Sequence, residues 1–286
     1  MTEESRTRPT TDVPEVVARP LHISWWLSGT IVAALALLFI RSLYHNPNLE
    51  WSVVGEFITN FRILQGLWVT MELAVLSQII AIVLGLVVAL LYMSRNPVSK
   101  TVGWGYIWFF RGTPLLVHIL FWGNFALFYG HLALAIPFTD IVFASWDTNA
   151  VISVFVASVL GLSLHEAGYM AEIIRTGLIS VDKGQVEAAQ ALGLTRRQLM
   201  ARVVLPQALR VIVPPTGNQF INMIKMTSLV AVIAGGDMLT VALNISAVNL
   251  RTIEMLIVAT FWYLFVTSIA SAGQALLERR LGRGVQ

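Results

Sequence analysis

The sequence contains no cysteine among its 286 residues, so it offers neither a disulfide framework nor a thiolate metal site. It also contains no G-x-x-x-x-G-K-[ST] phosphate loop, no H-E-x-x-H zinc motif and no G-x-S-x-G nucleophile motif. The five histidines, at positions 22, 45, 118, 131 and 165, are too dispersed to predict a metal site. We therefore expect no metal, no cofactor and no catalytic residue in this chain.

Charge is also scarce. Charged residues make up only 12% of the sequence, whereas apolar residues make up 56% and the mean hydropathy is +0.73. Soluble domains do not have this composition. The net charge of +3 is too small to indicate a nucleic-acid partner. These values predict an all-α polytopic membrane protein, embedded in a lipid bilayer and without nucleic acid.

Apolar runs of the length that crosses a bilayer, about 20 residues, recur along the chain. They predict six transmembrane helices, at residues 23–44, 63–93, 104–129, 150–175, 219–237 and 253–275. Residues 1–22 are polar and contain three prolines, which predicts a disordered tail. The run at 23–44 is too long and begins too late for a secretion signal, so we interpret it as an extra, retained first span.

Basic residues are unevenly divided between the loops. The tail, the loops after the second and fourth spans and the C-terminal end carry nearly all of them, and the opposite loops carry only Arg62 and Arg251. Because cytoplasmic loops are enriched in Lys and Arg, both termini are predicted to be cytoplasmic. An even number of spans agrees with that orientation.

The longest polar stretch between apolar runs covers residues 182–206, which we call the polar segment. Asp182 with Gln185, and Thr195 with Gln198, each have the spacing of a capping box. The segment is therefore predicted to contain two successive short helices on the cytoplasmic side. A plain solvated loop that joins two spans is the alternative.

Between the two predicted helices stands Gly193, which adopts a left-handed turn without steric cost. The second helix is amphipathic, and Pro206 is expected to break or kink it. A helix, a sharp turn and a second helix, exposed between membrane spans, would form a binding surface for another protein.

The spacing within the polar segment resembles the EAA loop of ABC-transporter permeases. The positions that carry this resemblance are Glu187, Ala188, Ala189, Gly193, Val203, Val204, Leu205 and Pro206. Two further stretches, Arg111-Gly112-Thr113-Pro114 and Tyr169-Met170-Ala171-Glu172, resemble the polar-amino-acid branch of that family. The likeness extends over about residues 60 to 282, so residues 63–282 are expected to form the permease domain, and five of its helices the permease core.

The resemblance implies a function and a set of partners. The chain would be the transmembrane subunit of an ATP-driven, binding-protein-dependent importer of polar amino acids in a bacterial cytoplasmic membrane. Its partners would be a second permease subunit, the same or a sister chain, an extracytoplasmic solute-binding protein, and ATP-binding cassette subunits that hold ATP and Mg²⁺. The ATPase would dock on Glu187, Ala188, Ala189, Gly193, Leu205 and Pro206.

Two other function classes stay open at the level of sequence. One is a self-sufficient, ion-coupled secondary transporter of a small polar solute, with Glu166 and Glu172 carrying protons. The other is a membrane anchor or assembly scaffold without a pathway. Neither accounts for the spacing of the EAA-like residues.

Polar residues at membrane depth are costly, and they usually face a cavity or a partner. The candidates for a solute pathway are Arg111, His165, Glu166, Asn218 and Asn222. A break at Pro114 would also free backbone groups beside Arg111. Glu172 has a second interpretation, an ion pair with Arg175 one turn later. For the pathway as a whole, the alternative is a permissive cavity, with solute selection entirely in the binding protein.

Overall fold

A computed structural model describes residues 23–136 and 141–282. The tail predicted to be disordered, residues 1–22, lies outside this part. The chain divides into two compact units, residues 1–49 and 50–286. In the first unit a single helix, α1, runs from Ile23 to Tyr44, where the extra span is predicted.

The second unit is a bundle of helices with one small sheet. Its elements, in chain order, are α2 (Trp51–Ile58), α3 (Phe61–Tyr92), α4 (Pro97–Gly112), α5 (Leu115–Gly123), a 3₁₀ turn (Phe125–Leu127), β1 (His131–Ala135), β2 (Val142–Asp147), α6 (Thr148–Val151), α7 (Val154–Ile179), α8 (Lys183–Ala191), α9 (Arg196–Leu199), a π turn (Met200–Val204), α10 (Leu205–Met226), a 3₁₀ helix (Thr227–Ile233), α11 (Met238–Asn249) and α12 (Thr252–Gly282). The predicted helical class is therefore confirmed.

Helices α1, α3, α7 and α12 are long and apolar enough to cross a membrane, and the bent pair formed by Arg196–Ile233 and Met238–Asn249 makes a fifth candidate. The outward faces of α3 and α12 carry large apolar side chains, such as Val83, 58% exposed, and Leu264, 65% exposed. Such surfaces suit lipid rather than water. The chain is an integral membrane protein, and the count of six spans stays a prediction.

The sequence reasoning missed an antiparallel hairpin in the predicted outer loop. Strands β1 and β2 pair from His131 with Asp147 to Ala135 with Val142, with an irregularity between Leu134 and Ala135. The strands are short and mostly exposed. Such short strands, without a buried face, leave only a weak alternating pattern in the sequence.

The third predicted span is broken where the sequence indicated. Helix α4 ends at Gly112, Thr113 is extended, and α5 starts after Pro114. Proline has no backbone N–H, and its ring disfavours a helical conformation in the residue before it. The prediction that Pro114 interrupts this helix is confirmed.

The fifth predicted span differs from the expected range of 219–237. Its helix begins at Leu205 and runs through Pro214 and Pro215. Gln274 of α12 donates a hydrogen bond to the carbonyl of Pro214 at 2.9 Å. Gly217 makes room for that side chain, since a Cβ there would lie 2.5 Å from Gln274 Oε1. This hydrogen bond ties α12 to the proline-containing stretch of α10.

The centre of the bundle is the interface between α3 and α7. Three small residues on α3, namely Ala81, Gly85 and Ala89, are four residues apart and give this helix a face that α7 can approach closely. A Cβ on Gly85 would lie 2.6 Å from Met170 Cβ and 3.0 Å from the nitrogen of Ala171. Without a large hydrophobic gain between helices in lipid, such close packing is a main source of their association.

This contact gives a stability prediction. Gly85→Ala is expected to destabilise the bundle by about 1–3 kcal/mol, because even one methyl group overpacks the interface. The measurement is the thermal unfolding midpoint of the purified protein in detergent. Gly105→Ala is the matched control, since a Cβ there meets no atom within 4 Å. An equal midpoint for the two variants would contradict the tight α3–α7 contact.

Candidate functional site

Helix α8 begins and ends where the sequence predicts. Asp182 caps α8, its carboxylate accepting from the backbone N–H of Gln185 at 3.3 Å. At the other end Gly193 has φ +77°. The N–H of Gly193 bonds to the carbonyl of Gln190, and that of Leu194 to the carbonyl of Ala189. This is the double hydrogen bond of a Schellman motif, so the turn after α8 has a defined shape.

The second helix start, at Thr195, is also confirmed. Thr195 Oγ1 accepts from the N–H of Gln198 at 3.3 Å, and Gln198 Oε1 accepts from the N–H of Thr195 at 3.0 Å. This reciprocal pair is a complete capping box. Only Gly193 and Leu194 separate the C-cap of α8, Leu192, from the N-cap of α9. A movement of α8 is therefore transmitted directly to α9.

Of the two effects predicted for Pro206, a break or a kink, the break is not found. The helical path continues from α9 through the π turn Met200–Val204 into α10, where Pro206 lies in the first turn. A π turn uses wider-spaced backbone hydrogen bonds and often marks a functional position in a helix. The irregularity expected at Pro206 is thus displaced to the turn before it.

The predicted docking residues differ in exposure. Glu187, Ala188, Gly193, Leu205 and Pro206 are exposed, whereas Ala189 is buried. Leu192 at the end of α8 is 81% exposed, although its side chain is large and apolar. An amphipathic helix end with an exposed acid and an exposed leucine is suited to contact a folded partner.

A second group of polar side chains surrounds the break between α4 and α5. Thr113 Oγ1 lies 2.7 Å from the carbonyl of Phe109 and 2.6 Å from His118 Nε2. His118 is on the second turn of α5 and is 6% exposed. Thr113 therefore ties the two halves of the broken helix together.

From His118 a series of rings and one cation leads across to α7. The ring centroids of His118 and His165 are 5.3 Å apart, and those of His165 and Tyr169 also 5.3 Å. The guanidinium carbon of Arg111 lies 5.3 Å from the centre of the Tyr169 ring. We call these four residues the ring cluster. It brings together two of the predicted pathway residues, Arg111 and His165.

The close approach of α4 and α7 positions the ring cluster. Gly168 lies beside Arg111, because a Cβ there would be 3.3 Å from Arg111 Cγ. Gly161 performs the same role farther along, with a Cβ position 3.1 Å from the Cα of Ile119. Glycines one turn before and after His165 thus let the broken helix reach this histidine.

Glu166 is nearly inaccessible, with 1% of its surface exposed. Neither carboxylate oxygen has a hydrogen-bond partner among the described residues, and the same holds for Gln78 Oε1, Ser77 Oγ and Ser163 Oγ. Gln78 Nε2 lies 3.5 Å from the sulfur of Met170, one turn after Glu166. Glu166 therefore shares the α3-facing side of α7 and is turned away from His165.

The remaining candidates lie elsewhere. Asn218 is exposed and Asn222 half-buried on α10. Asn222 donates to Gln219 at 3.4 Å, and in the described part of the chain no hydrogen bond joins either asparagine to the ring cluster. Glu172 forms the predicted pair with Arg175, with Oε1 2.6 Å from Nη2 and Oε2 3.0 Å from Nε.

Sequence reasoning missed His118 and Gln78 as members of the polar interior. His118 had one usable signal, since it stands four residues after Pro114 and hence one turn into the second half-helix. Gln78 had only its polarity within an apolar run. For neither residue does the sequence show which distant helix its side chain contacts.

A membrane bundle with a helix broken at Pro114, a polar interior and an exposed helix–turn–helix between α7 and α10 defines a transport subunit of the permease type. The chain belongs to the family described as binding-protein-dependent transport system inner membrane components, whose model matches residues 81–283. The resemblance noted in the sequence is therefore confirmed.

Curated relatives agree with this assignment. An arginine transport system permease of Corynebacterium glutamicum, ArgU, is 39% identical over 272 residues, covering 94% of this chain and 84% of that protein. An L-cystine transport system permease of Bacillus subtilis, TcyB, is 36% identical and covers 77% of this chain and 86% of its own length. A probable glutamine ABC transporter permease of Bacillus subtilis, GlnM, is 31% identical, with 80% and 97% covered.

Solved structures show the same fold. An amino acid ABC transporter crystallised with histidines is 36% identical, with a TM-score of 0.65 over 77% of this chain and 94% of that one. The inward-facing methionine transporter MetNI matches at 18% identity with a TM-score of 0.60, which supports the fold alone. The family favours an ABC-importer permease over an ion-coupled secondary transporter.

Proposed function

We propose that this chain is the transmembrane subunit of an ATP-driven importer of polar amino acids in a bacterial cytoplasmic membrane, with both termini cytoplasmic. The observation that carries the proposal is the polar segment, in which two capped helices meet at Gly193, exposed between two long membrane helices. The relatives named for arginine, L-cystine and glutamine support the solute class.

The chain itself carries no ATPase site in this proposal. ATP and Mg²⁺ are bound by two cassette subunits that receive α8 in a groove, with Glu187 and Ala188 on the contact surface. Closure of the cassette dimer moves α8. The rigid turn at Gly193 and the capping box at Thr195 pass that movement to α10 through the π turn. Packed helices respond by switching between discrete arrangements rather than by gradual bending.

A second permease subunit, the same chain or a sister chain, completes the pathway. An extracytoplasmic binding protein delivers the solute, because the loops of this chain are too short to form a ligand-binding domain.

The pathway in this proposal is lined by Arg111 and His165, with Glu166 on the neighbouring face and Asn218 and Asn222 farther along. An amino acid needs a cation for its carboxylate and an acceptor for its ammonium group. In this proposal Arg111 receives the carboxylate. Glu166, which is buried against α3 in this structure, receives the ammonium group when α3 and α7 rearrange during transport.

Reconstitution tests the proposal. The chain, co-expressed with cassette and binding-protein subunits, is expected to co-purify with the cassette subunit. In proteoliposomes the complex should take up radiolabelled L-arginine, L-glutamine or L-cystine only when ATP is present on the side of the membrane that carries the cassette subunits. A cassette subunit that cannot hydrolyse ATP is the matched control. Uptake that survives this control and collapses with an ionophore would identify an ion-coupled transporter instead.

A further inference from the structure

An open cleft of about 630 Å³ lies at the end of the bundle where α3 begins and α11 ends. Its polar wall consists of Asn60, Arg62, Gln65, Asn244 and Asn249, and its other wall is apolar, as at Val248. Cavities of about 300–1,000 Å³ with a mostly apolar lining and a few polar groups are typical of small-molecule sites. This cleft is far along α3 from the ring cluster, which involves α4, α5 and α7.

The polar wall of the cleft is rich in hydrogen-bond donors. Asn60 Oδ1 accepts from the backbone N–H of Arg62, and Asn249 Oδ1 accepts from that of Arg251, each at 2.9 Å. With both amide oxygens committed, the NH₂ groups are left to face other acceptors. Asn60 is half-buried, so its NH₂ group can meet an acceptor in the cleft. Asn249 Nδ2 has no acceptor among the described residues but is closed to solvent, so it takes no direct part in binding a solute.

Arg62 adds a positive charge that the surrounding protein does not neutralise. The ion pairs in the described part of the chain are Glu172 with Arg175 and Glu50 with Arg251, and no carboxylate lines the cleft. A guanidinium beside amide donors is complementary to an acceptor-only anion, and a carboxylate fits its planar geometry. The cleft therefore selects for negative charge.

The framework of the cleft is rigid. Helices α3 and α11 meet so closely that a Cβ on Gly66 would lie 2.9 Å from the Cα of Met238. Thr70 Oγ1 accepts from the N–H of Met238 at 3.0 Å, which fixes the start of α11 against α3. These contacts hold α3 and the start of α11 against each other, so the backbone of the cleft needs little ordering when a ligand binds.

We propose that this cleft is an entry site that binds the α-carboxylate of the transported amino acid on the extracytoplasmic side, before the solute reaches the ring cluster. The inference rests on the proposed function, which supplies the orientation of the bundle. Arg62 and the amide group of Asn60 hold the carboxylate. The apolar side chains that line the cleft cover the carbon skeleton of the solute, and Val248 lies at the exposed edge.

Cysteine protection tests this entry site in the assembled complex, because the natural chain has no cysteine. Val248→Cys places a thiol in the cleft, and Ala247→Cys places one on the adjacent, exposed position that does not line it. A membrane-impermeant maleimide added outside should label both variants. L-arginine or L-glutamine should slow labelling of Val248→Cys roughly threefold or more, since bound small molecules lose most of their accessible surface. Ala247→Cys should be unaffected.

Two further arms make the result specific. The carboxamides L-argininamide and L-glutaminamide lack the anion and should not protect. Combining Val248→Cys with Arg62→Gln should abolish protection, whereas Arg62→Lys should keep part of it. Arg251→Gln is the matched control, because it removes the other outer-face cation, which is paired with Glu50 outside the cleft.

Several outcomes would overturn the proposal. Equal protection by the carboxamides would show that the cleft does not recognise the carboxylate. Protection only by the binding protein without solute would identify a docking surface for protein. Absence of labelling in the complex would show a cleft covered by the second permease. The proposed function fails separately, through loss of ATP dependence in the uptake assay. Normal ATP-driven uptake, with no protection of Val248→Cys by solute, would disprove the entry site and leave the proposed function intact.

Discussion

Replacing Gly193 by valine is expected to reduce solute-stimulated ATP hydrolysis and uptake together, by roughly tenfold or more, while the protein still inserts into the membrane. Gly193 has φ +77°, a region that costs an ordinary L-residue about 1–2 kcal/mol and a β-branched residue more. The turn would move to another conformation and break the hydrogen bonds that join α8 to α9. A free-energy cost of about 1.4 kcal/mol changes an equilibrium constant tenfold. We therefore expect the coupling to fail at a cost that still leaves the protein folded.

Asparagine at the same position is the matched control. Asn tolerates the left-handed region better than valine, although it is the larger change in polarity. Gly193→Asn should therefore keep activity within about threefold of the natural chain, on the same reasoning about left-handed residues. Equal losses in the two variants would show that the effect is not conformational. Normal activity in both would remove the turn from the coupling pathway.

A second variant in the polar segment separates docking from transmission. Glu187→Ala removes an exposed charge from α8 and should weaken co-purification of the cassette subunit without altering the turn. Gln185→Ala, on the opposite side of the same helix, is its control. Retention of the cassette subunit at normal levels by Glu187→Ala would place the contact elsewhere.

The other large effect is expected at Glu166. Glu166→Gln should abolish the stimulation of ATP hydrolysis by the amino acid and leave the basal rate in place. The side chain is 1% exposed and its carboxylate oxygens have no partner in the described part of the chain. A buried polar group without a partner is costly and is retained where a ligand supplies the missing bond. The ammonium group of the solute is the partner that we expect, and the neutral amide would bind it far more weakly.

His165→Ala provides a second point in the same experiment. Its ring lies between those of His118 and Tyr169, so its loss should loosen the ring cluster and weaken the response to solute to a smaller degree. Glu56→Gln makes the same chemical change as Glu166→Gln at an exposed position on α2 and should behave as the natural chain does. Assembly with the cassette subunit is checked for every variant.

Unchanged affinity and selectivity in both pathway variants would support the alternative of a permissive cavity, with solute selection entirely in the binding protein. Loss of both basal and stimulated hydrolysis would indicate a folding defect. The pathway assignment predicts that only the stimulated part is lost. Glu172 is not expected to contribute in the same way, because Arg175 already neutralises it.

The sequence by itself determined the features that depend on local chemistry. Composition established the membrane class, the capping residues Asp182 and Thr195 established where α8 and α9 begin, and Gly193 established the turn between them. Pro114 determined the break in the third span, because a proline acts on its own helix whatever surrounds it. Spacing within the polar segment then led to the family.

Tertiary structure decided what depends on neighbours distant in the chain. Pro214 and Pro215 stay within α10, and Gln274 of α12 bonds to that stretch, a contact that no local rule predicts. His165 meets His118, and Tyr169 meets Arg111, because glycines on α7 admit the broken helix, whereas Glu166, the residue after His165, faces α3. Adjacent helical residues point about 100° apart, so packing alone determined which of the two joins the ring cluster and which is buried without a partner.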